Sequence, residues 1–441
     1  MNSLLFQCSS VAKSNTKLIY GLWGHLQAEQ ILSVRIAKIR GIPIRLHFTL
    51  LIAFILITWT VSIQLLPTIY PRLSPAEYWI SGIIGATILF ISVLLHELAH
   101  SVVALSYGLK VHQIILFIFG GVSDIEEKPG EDSSKDFRKE FKIAIVGPAT
   151  SFVIAAALGI SWLVLSSLIT NGSNNTAASV VTANNYSGSF ILMTTANIAK
   201  AVLRYGTLIN ILLGVFNLIP AFPLDGGRVL RASLTRWKRN YDQATKISVR
   251  IGIGISYGFI AFGFLTMISG SFTGGVWILL IGWFLNSGAQ SYLQQYEITS
   301  ILSRVPLDSI MNTSIVTVKE DLTVDGLINE RFNLYSKDSF PVVTGDGYFL
   351  GMVTFKDAWA VPESSRATTI TRDIMIPKKN LILMDTNRRA DEALLEMTRK
   401  NMGKVFICNE KGILIGLVSK TDIMNAASKR KEYDETVRKF R

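Results

Sequence analysis

The stretch YWISGIIGATILFISVLLHELAHSVV, residues 78–103, is almost wholly apolar and is long enough to cross a membrane as a helix. Its only histidines and acidic residue lie in HELAH, residues 96–100. On a helix His96 and His100 share one face, so both imidazoles can bind one metal ion while Glu97 faces a water molecule beside it. HExxH strings also occur by chance, but ionisable residues within an apolar span indicate function because they are costly in lipid. The stretch therefore predicts a zinc hydrolase site inside a membrane.

The composition of the whole chain also indicates an integral membrane protein. The chain has 441 residues, 49% of them hydrophobic, and its mean hydropathy is +0.37. A net charge of +12 is compatible with nucleic-acid binding, but the basic residues collect in particular loops without interleaved aromatic residues. We therefore expect no nucleic-acid partner. The two cysteines, Cys8 and Cys408, support neither a disulfide framework nor a cysteine metal site.

Six apolar segments are long enough to span a bilayer. They lie near residues 48–66, 79–105, 141–169, 198–219, 250–269 and 274–294. With the amino terminus in the cytosol, the loops 67–78, 170–197 and 270–273 face outward, and Arg72 is their only basic residue. Cytosolic loops are enriched in Lys and Arg, so this distribution predicts a multi-pass protein of the cell membrane with a cytosolic amino terminus.

The segment VHQIILFIFGGVSDIEE, residues 111–127, lies between the second and third spans. Its β-branched and aromatic residues, followed by Gly120 and Gly121, favour a membrane-associated β-hairpin over a helix. A strand edge at membrane depth must pack against protein or line a water-filled cavity. An extended substrate can pair with such an edge through main-chain hydrogen bonds. A plain cytosolic hairpin is the alternative interpretation.

After Gln295 the sequence changes to a soluble α/β pattern that occurs twice, from about Pro306 to Val361 and from Ile370 to Met424. Each copy predicts a short helix ending in Ile-Met, a strand, a helix, a hairpin and a further helix. Two such units are expected to bury each other as one paired domain. The predicted organisation is a poorly ordered extension (1–34), a membrane domain (35–296), two repeats (304–362 and 368–428) and a charged tail (429–441).

A third metal ligand is expected because a catalytic zinc ion usually has three, and HELAH supplies two. The candidate is Asp225 in FNLIPAFPLDGGR, residues 216–228, at the end of the fourth span. Two prolines unwind the chain there, and the glycine pair after the aspartate permits a bend that can aim the carboxylate into the bundle. Asp-Gly-Gly is also an ordinary turn, but its membrane depth matches that of HELAH and favours the ligand role.

HELAH, the later FGG (residues 119–121) and NLIPAFPLDGGR together resemble the site-2 protease family of intramembrane zinc metalloproteases. The duplicated C-terminal region resembles a CBS-domain pair, as in the CBS-bearing branch of that family. The two resemblances cover nearly all of residues 35–424. They imply a polytopic α-helical membrane protein with about six transmembrane helices, a membrane-associated β-hairpin and a cytosolic α/β CBS pair.

In the membrane domain the resemblance implies three ligands for one Zn²⁺ ion per subunit, His96, His100 and Asp225. It implies Glu97 as the general base. Asn217 matches an asparagine that steadies the substrate or the oxyanion in that family. A buried asparagine that satisfies freed backbone carbonyls is an equal alternative.

In the CBS pair the resemblance implies binding of an adenine nucleotide. The hydroxyls of Thr354 and Ser419 would face phosphate, and the carboxylates of Asp357 and Asp422 would accept from ribose hydroxyls. Each Ser/Thr-x-x-Asp string is also a helix-capping pattern, so capping alone stays open. CBS pairs also suggest a homodimer.

We therefore predict an intramembrane zinc metalloendopeptidase that hydrolyses peptide bonds in or near transmembrane segments of membrane-protein substrates within the lipid bilayer. Nucleotide binding to the CBS pair is expected to regulate it. The alternatives are a CBS-gated transporter or channel and a catalytically inactive membrane scaffold. Paired metal motifs, rather than charges spread along a pore, favour the protease, and the intact ligands and base disfavour the scaffold.

Overall fold

The computed structural model describes residues 33–118, 120–126, 136–176, 186–335 and 337–440. The predicted N-terminal extension, residues 1–34, lies outside this part of the chain except for its last two residues. The chain forms two compact units, a membrane unit that ends at Tyr292 and a C-terminal unit that begins at Leu293.

Seven helices of the described chain begin in the membrane unit. They are α1 Thr49–Ile69, α2 Pro75–Ser106, α3 Phe137–Thr176, α4 Tyr186–Asn217, α5 Asp225–Lys238, α6 Tyr241–Ile268 and α7 Phe272–Leu302. All except α5 are long and apolar enough to cross a membrane, which makes six candidate spans among the described residues. The predicted polytopic helical architecture is confirmed. Helix α5 is shorter and carries four basic residues.

Helix α2, which carries HELAH, has a defined start and tight neighbours. At its first turn the Ser74 hydroxyl accepts from the backbone N–H of Glu77, and the Glu77 carboxylate accepts from the backbone N–H of Ser74. Further along, a Cβ on Gly82 would lie 2.0 Å from the Ser62 hydroxyl of α1. A Cβ on Gly85 would lie 2.9 Å from the ring of Tyr205 on α4. Small residues therefore let α2 pack closely between its two neighbours.

A four-stranded sheet completes the membrane unit. Its strands are β1 Ser33–Ile39, β2 Ile42–His47, β3 Lys110–Phe117 and β4 Gly120–Glu126, in the spatial order β1-β2-β3-β4. The strands β3 and β4 form the hairpin that the sequence predicts. The β1–β2 hairpin was not predicted, although its apolar-basic alternation and Gly41 at its turn are hairpin signals in the sequence. In the structure Arg40 and Gly41 of this turn have positive φ. Within the described sheet β4 is an edge strand.

The C-terminal unit contains the two predicted α/β repeats. The first has β5 Val318–Lys319, α8 Val324–Leu327, β6 Ser339–Val343, β7 Phe349–Thr354 and α9 Phe355–Trp359. The second has α10 Thr371–Ile374, β8 Ile376–Pro377, β9 Leu383–Met384, α11 Ala390–Arg399, β10 Lys404–Cys408, β11 Leu414–Ser419 and α12 Lys420–Lys439. Phe349 and Phe406 stack with ring centroids 4.8 Å apart, which joins the cores of the two repeats.

Each repeat also lends a short segment to the sheet of the other. In the first repeat Asn312 exchanges two backbone hydrogen bonds with Leu417, at 2.9 and 3.1 Å. In the second repeat β8 pairs with β7. Glycines permit both crossings, because a Cβ on Gly416 would lie 2.5 Å from Met311 Sδ and one on Gly351 would lie 2.3 Å from the Ile376 carbonyl oxygen. The Ile-Met segments that marked the repeats in the sequence therefore lie where each repeat crosses to a strand of the other.

Gly351→Ala should destabilise the C-terminal unit by about 1–3 kcal/mol, because the added methyl group meets rigid backbone. Gly416→Ala should cost less, since the flexible Met311 side chain can move. Gly345→Ala is the matched control, because nothing lies within 4 Å of a Cβ there. Thermal unfolding of the full-length variants, with amide exchange in β7, measures the effect. Equal stability of the Gly351 and Gly345 variants would contradict the packing argument.

Candidate metal centre

The two histidines of HELAH lie side by side on the buried face of α2. His96 and His100 are each 3% exposed, and their ring centroids are 4.9 Å apart. Their positions follow from the four-residue spacing, which places them on adjacent turns of one helix face. Each Nδ1 atom is held from α3: His96 Nδ1 lies 2.9 Å from Ser151 Oγ, and His100 Nδ1 lies 2.6 Å from the Ile143 carbonyl oxygen.

Asp225 is the first residue of α5 and points at both histidines. Its Oδ2 atom lies 3.0 Å from His96 Nε2 and 3.1 Å from His100 Nε2. The loop before α5 folds back tightly, because a Cβ on Gly226 would lie 2.2 Å from the Ile219 carbonyl oxygen. The bend that the glycine pair suggested is therefore present, and the three predicted ligands come together.

The protonation pattern of the cluster fits a bound cation. A carbonyl oxygen can only accept, so His100 Nδ1 donates to Ile143, and a neutral ring then has a bare lone pair at Nε2. That lone pair faces a carboxylate oxygen at 3.1 Å. A protonated ring would instead donate from Nε2. Burial alone would raise the pKa of the Asp225 carboxyl, but such hydrogen bonds from His100 and His96 outweigh burial and lower this pKa. An ionised carboxylate and two imidazole nitrogens form the ligand set that a zinc ion prefers.

The space at the centre exists because α3 has a glycine there. A Cβ on Gly147 would lie 2.1 Å from His100 Nε2 and 2.5 Å from His96 Nε2. Any side chain at this position would therefore occupy the point where the two ring nitrogens converge. The sequence does not indicate this role, since Gly147 lies in an apolar span where glycine usually serves helix packing.

Glu97 lies beside the histidines and is held by β4. Its Oε2 atom accepts a hydrogen bond of 2.7 Å from the Ser123 hydroxyl. The metal-ligating atoms of His96, Glu97 and His100 all lie within 4.8 Å of one another. Gly121 on the same strand permits the approach, because its Cβ would lie 2.4 Å from Glu97 Cγ. The predicted hairpin therefore contacts the predicted base directly.

Asn217 is the last residue of α4, before the loop that leads to Asp225. Its Nδ2 atom donates to the Leu213 carbonyl oxygen at 2.9 Å, one turn back on the same helix. Leu213 lies within the same helix, so this contact does not decide between the two roles that the sequence left open. The amide has a second N–H that this hydrogen bond does not use.

The four predicted nucleotide-binding residues of the CBS pair form two matching helix caps. Thr354 Oγ1 and the Thr354 backbone N–H both donate to Asp357 Oδ2, at 2.6 and 3.1 Å. Ser419 and Asp422 repeat the arrangement at 2.6 and 2.8 Å. The capping interpretation therefore describes these residues as they stand, and one carboxylate oxygen of each aspartate is already used.

Comparison with known proteins gives the family. A model of peptidase family M50 matches residues 84–259, which include HELAH and Asp225. The putative zinc metalloprotease Rip3 of Mycobacterium tuberculosis is 30% identical over 401 residues, which are 89% of this chain and 92% of that protein. The zinc metalloprotease MJ0392 of Methanocaldococcus jannaschii is 31% identical over 399 residues, 90% of this chain and 96% of that protein. The chain belongs to peptidase family M50.

Further matches concern the C-terminal unit and the fold. A CBS-domain model matches residues 307–358 and 372–429 of the M50 protein, which confirms the predicted CBS pair. Among solved structures, a site-2 protease from Methanocaldococcus jannaschii is 32% identical, with a TM-score of 0.36, and the match covers 59% of this chain and 94% of that one.

Family membership confirms the predicted enzyme class. The M50 protein is an intramembrane zinc metalloprotease with CBS domains. The transporter and scaffold alternatives lose their support, because these two relatives, which match about nine-tenths of the chain, are named a zinc metalloprotease and a putative zinc metalloprotease. The family also implies zinc and a lipid environment, and the residues of the cluster fit that ion.

Gly147→Ala should abolish zinc binding, because its methyl group would lie within 2.5 Å of both ring nitrogens. Gly254→Ala is the matched control in another membrane helix, where nothing lies within 4 Å of the added Cβ. Metal analysis of the purified proteins measures bound zinc, and circular dichroism checks that both remain folded. Full zinc occupancy in folded Gly147→Ala would contradict the assigned geometry.

Proposed function

We propose that this M50 protease cleaves membrane-protein substrates at peptide bonds in or near their transmembrane segments. The observation that carries the proposal is that Asp225 converges on His96 and His100, which lie with Glu97 on a helix long enough to cross the membrane. A water-soluble protein substrate does not enter the bilayer and therefore has poor access to a centre on such a helix. A transmembrane substrate reaches it from the bilayer.

In the proposed mechanism His96, His100 and Asp225 would hold the zinc ion. When bound, zinc supplies Lewis acidity toward the scissile carbonyl and makes water a nucleophile near neutral pH. Glu97 takes the proton of the attacking water and later passes it to the leaving amine. Ser123 fixes the carboxylate for this role through its hydrogen bond to Oε2. The second amide N–H of Asn217 is our candidate donor to the developing oxyanion.

The edge strand β4 is the proposed substrate platform. A helical peptide bond is shielded by its own hydrogen bonds, so the substrate must unwind before it is cut. Among the described strands β4 pairs only with β3, which leaves its other edge for an extended chain. Ser123 on this strand touches Glu97, so a paired substrate would lie next to the base.

Orientation follows from the basic residues. We propose that the protein spans the cell membrane with its amino terminus and CBS pair in the cytosol. Strands β1 and β2 and helix α5 carry many basic residues, whereas the loop 67–78 contains Arg72 alone. The metal ligand Asp225 begins α5, so the centre is proposed to lie near the cytosolic end of the bundle.

Glu97→Gln should leave zinc content unchanged and lower the cleavage rate by about 10²–10⁴-fold, because only the proton acceptor is lost. The measurement is cleavage of a co-reconstituted single-span reporter in liposomes. Asp225→Ala is the comparison variant and should lose both zinc and cleavage. Wild-type cleavage by Glu97→Gln would remove the proposed mechanism.

We also propose that an adenine nucleotide binds the CBS pair and changes the proteolytic rate, and that the CBS pair mediates a homodimer. The nucleotide can shift the enzyme only if it binds two arrangements with different affinity, and a tenfold preference corresponds to about 1.4 kcal/mol. The unused oxygens of Asp357 and Asp422 are the proposed acceptors for ribose hydroxyls.

Asp357→Ala and Asp422→Ala should each blunt the response of the cleavage rate to ATP without changing zinc content. Asp346→Ala is the matched control, because Asp346 is an exposed residue of the β6–β7 turn and takes part in neither cap. Calorimetry on the full chain and cleavage over a millimolar range of ATP test the proposal. Absence of binding together with a constant rate would eliminate nucleotide control.

A further inference from the structure

A pocket of about 280 Å³ lies beside the metal centre in the membrane unit. Two of its lining residues contact the centre: Ser123 donates to Glu97, and the Ile143 carbonyl accepts from His100. The lining includes neither the base nor a predicted ligand. The pocket is therefore a separate cavity that shares a wall with the catalytic residues.

The pocket carries a net positive charge. Arg231 and Glu140 both line it, but they neutralise each other through a hydrogen bond of 2.6 Å from Arg231 Nε to Glu140 Oε1. Lys139 and Arg228 also line it, and neither forms a hydrogen bond or ion pair within the part of the chain that the structure describes. Two cations thus face this space without an anionic partner among the described residues.

Both cationic residues lie close in sequence to residues of the metal centre. Arg228 follows Asp225 by three residues on α5, and Lys139 precedes Ile143 by four residues on α3. Each cation is therefore one helical turn from a residue that contacts the histidines. Apolar lining residues, Ile125 among them, keep the local dielectric low and strengthen the positive potential.

The edge strand β4 runs from the base to the pocket. Gly121, Ser123 and Ile125 share one face of this strand, because successive side chains alternate. The first two positions meet Glu97, and the second and third lead into the pocket. In a chain paired with β4, residues two apart also share this face and lie about 7 Å apart. A residue close to the scissile bond would therefore face Lys139 and Arg228.

We propose that this pocket is an anion subsite for a carboxylate of the peptide substrate. The carboxylate is either the side chain of an Asp or Glu near the scissile bond or the new C-terminal carboxylate of the product. Hydrolysis adds the hydroxyl of water to the acyl carbon and a proton to the amine, so it creates such a group beside the pocket. The inference rests on the proposed function and specifies its substrate preference.

The first experiment scans one acidic residue through the cleavage region of a single-span reporter. Full-length enzyme in liposomes cuts reporters with Asp at each of several positions, each compared with its Asn counterpart. At one position Asp should raise kcat/KM by about tenfold over Asn, as a charged hydrogen bond would. In Arg228→Gln this ratio should fall toward one, whereas Arg236→Gln, exposed on the same helix and absent from the lining, should keep it.

Charge reversal separates recognition from a structural effect. Arg228→Glu should invert the preference, so that Lys at the same reporter position is cut faster than Asp. A variant that was only misfolded would lose activity on every reporter alike. Zinc content of each variant checks that the metal centre is intact.

The second experiment tests the product carboxylate. Peptides that end at the cleavage site are added as inhibitors, with a free C-terminal carboxylate or with a C-terminal amide. Stronger inhibition by the acid, abolished in Arg228→Gln, assigns the subsite to the new C-terminus. A positive reporter scan assigns it to a substrate side chain. Either result supports the anion subsite.

Failure of both experiments overturns the subsite, provided that wild-type enzyme cuts the neutral reporter and Glu97→Gln does not. If the neutral reporter is not cut at all, the proposed function itself has failed. A rate that depends on anionic lipid in the vesicles through Arg228, with no effect of peptide charge, would also overturn the proposal and assign the pocket to a lipid headgroup.

Discussion

The membrane unit is organised around one close approach of electron-rich atoms, a carboxylate oxygen and two imidazole nitrogens. Asp225 places a carboxylate oxygen 3.0 and 3.1 Å from two imidazole nitrogens in a buried site. When His100 is neutral, its Nε2 presents a lone pair to this oxygen, because its Nδ1 must donate to a carbonyl. Facing lone pairs repel unless a proton or a metal ion lies between them. The fold around the cluster holds this arrangement in place and leaves room for a cation.

Three helices hold the metal cluster in place. Helix α2 supplies both histidines, α5 supplies the aspartate, and α3 supplies Gly147 and the contacts that orient the imidazole rings. Helices α3 and α5 are joined by the buried Arg231–Glu140 pair, and the Arg231 guanidinium also lies 4.9 Å from the ring centroid of Tyr241. A buried pair of charges contributes little net stability because of its desolvation, but its geometry is specific. It fixes the register between the helix of Asp225 and the helix that orients the histidines.

The sequence predicted the parts of this centre that depend on side-chain identity. HELAH requires two histidines at helical spacing, and the proline and glycine residues around Asp225 mark a bend, so both were visible without a structure. The Ile143 contact was not, since it uses a backbone carbonyl that every residue possesses. Gly147 was missed because its role is the absence of a side chain. The β1–β2 hairpin was missed because its basic residues were interpreted only as topology signals.

The same residues can serve structure and recognition at once, and the CBS pair shows how the two compete. Asp357 and Asp422 each use one carboxylate oxygen in a helix cap. A ligand that donates to the second oxygen leaves the cap intact, whereas a ligand that needs both oxygens must break it, at a cost of about 0.5–2 kcal/mol. Arg228 and Lys139 form no hydrogen bond or ion pair with the described residues. A charged side chain that makes no hydrogen bond or ion pair within the fold can bind a substrate without loss of stability. In this chain two such side chains lie within one helical turn of residues at the metal centre.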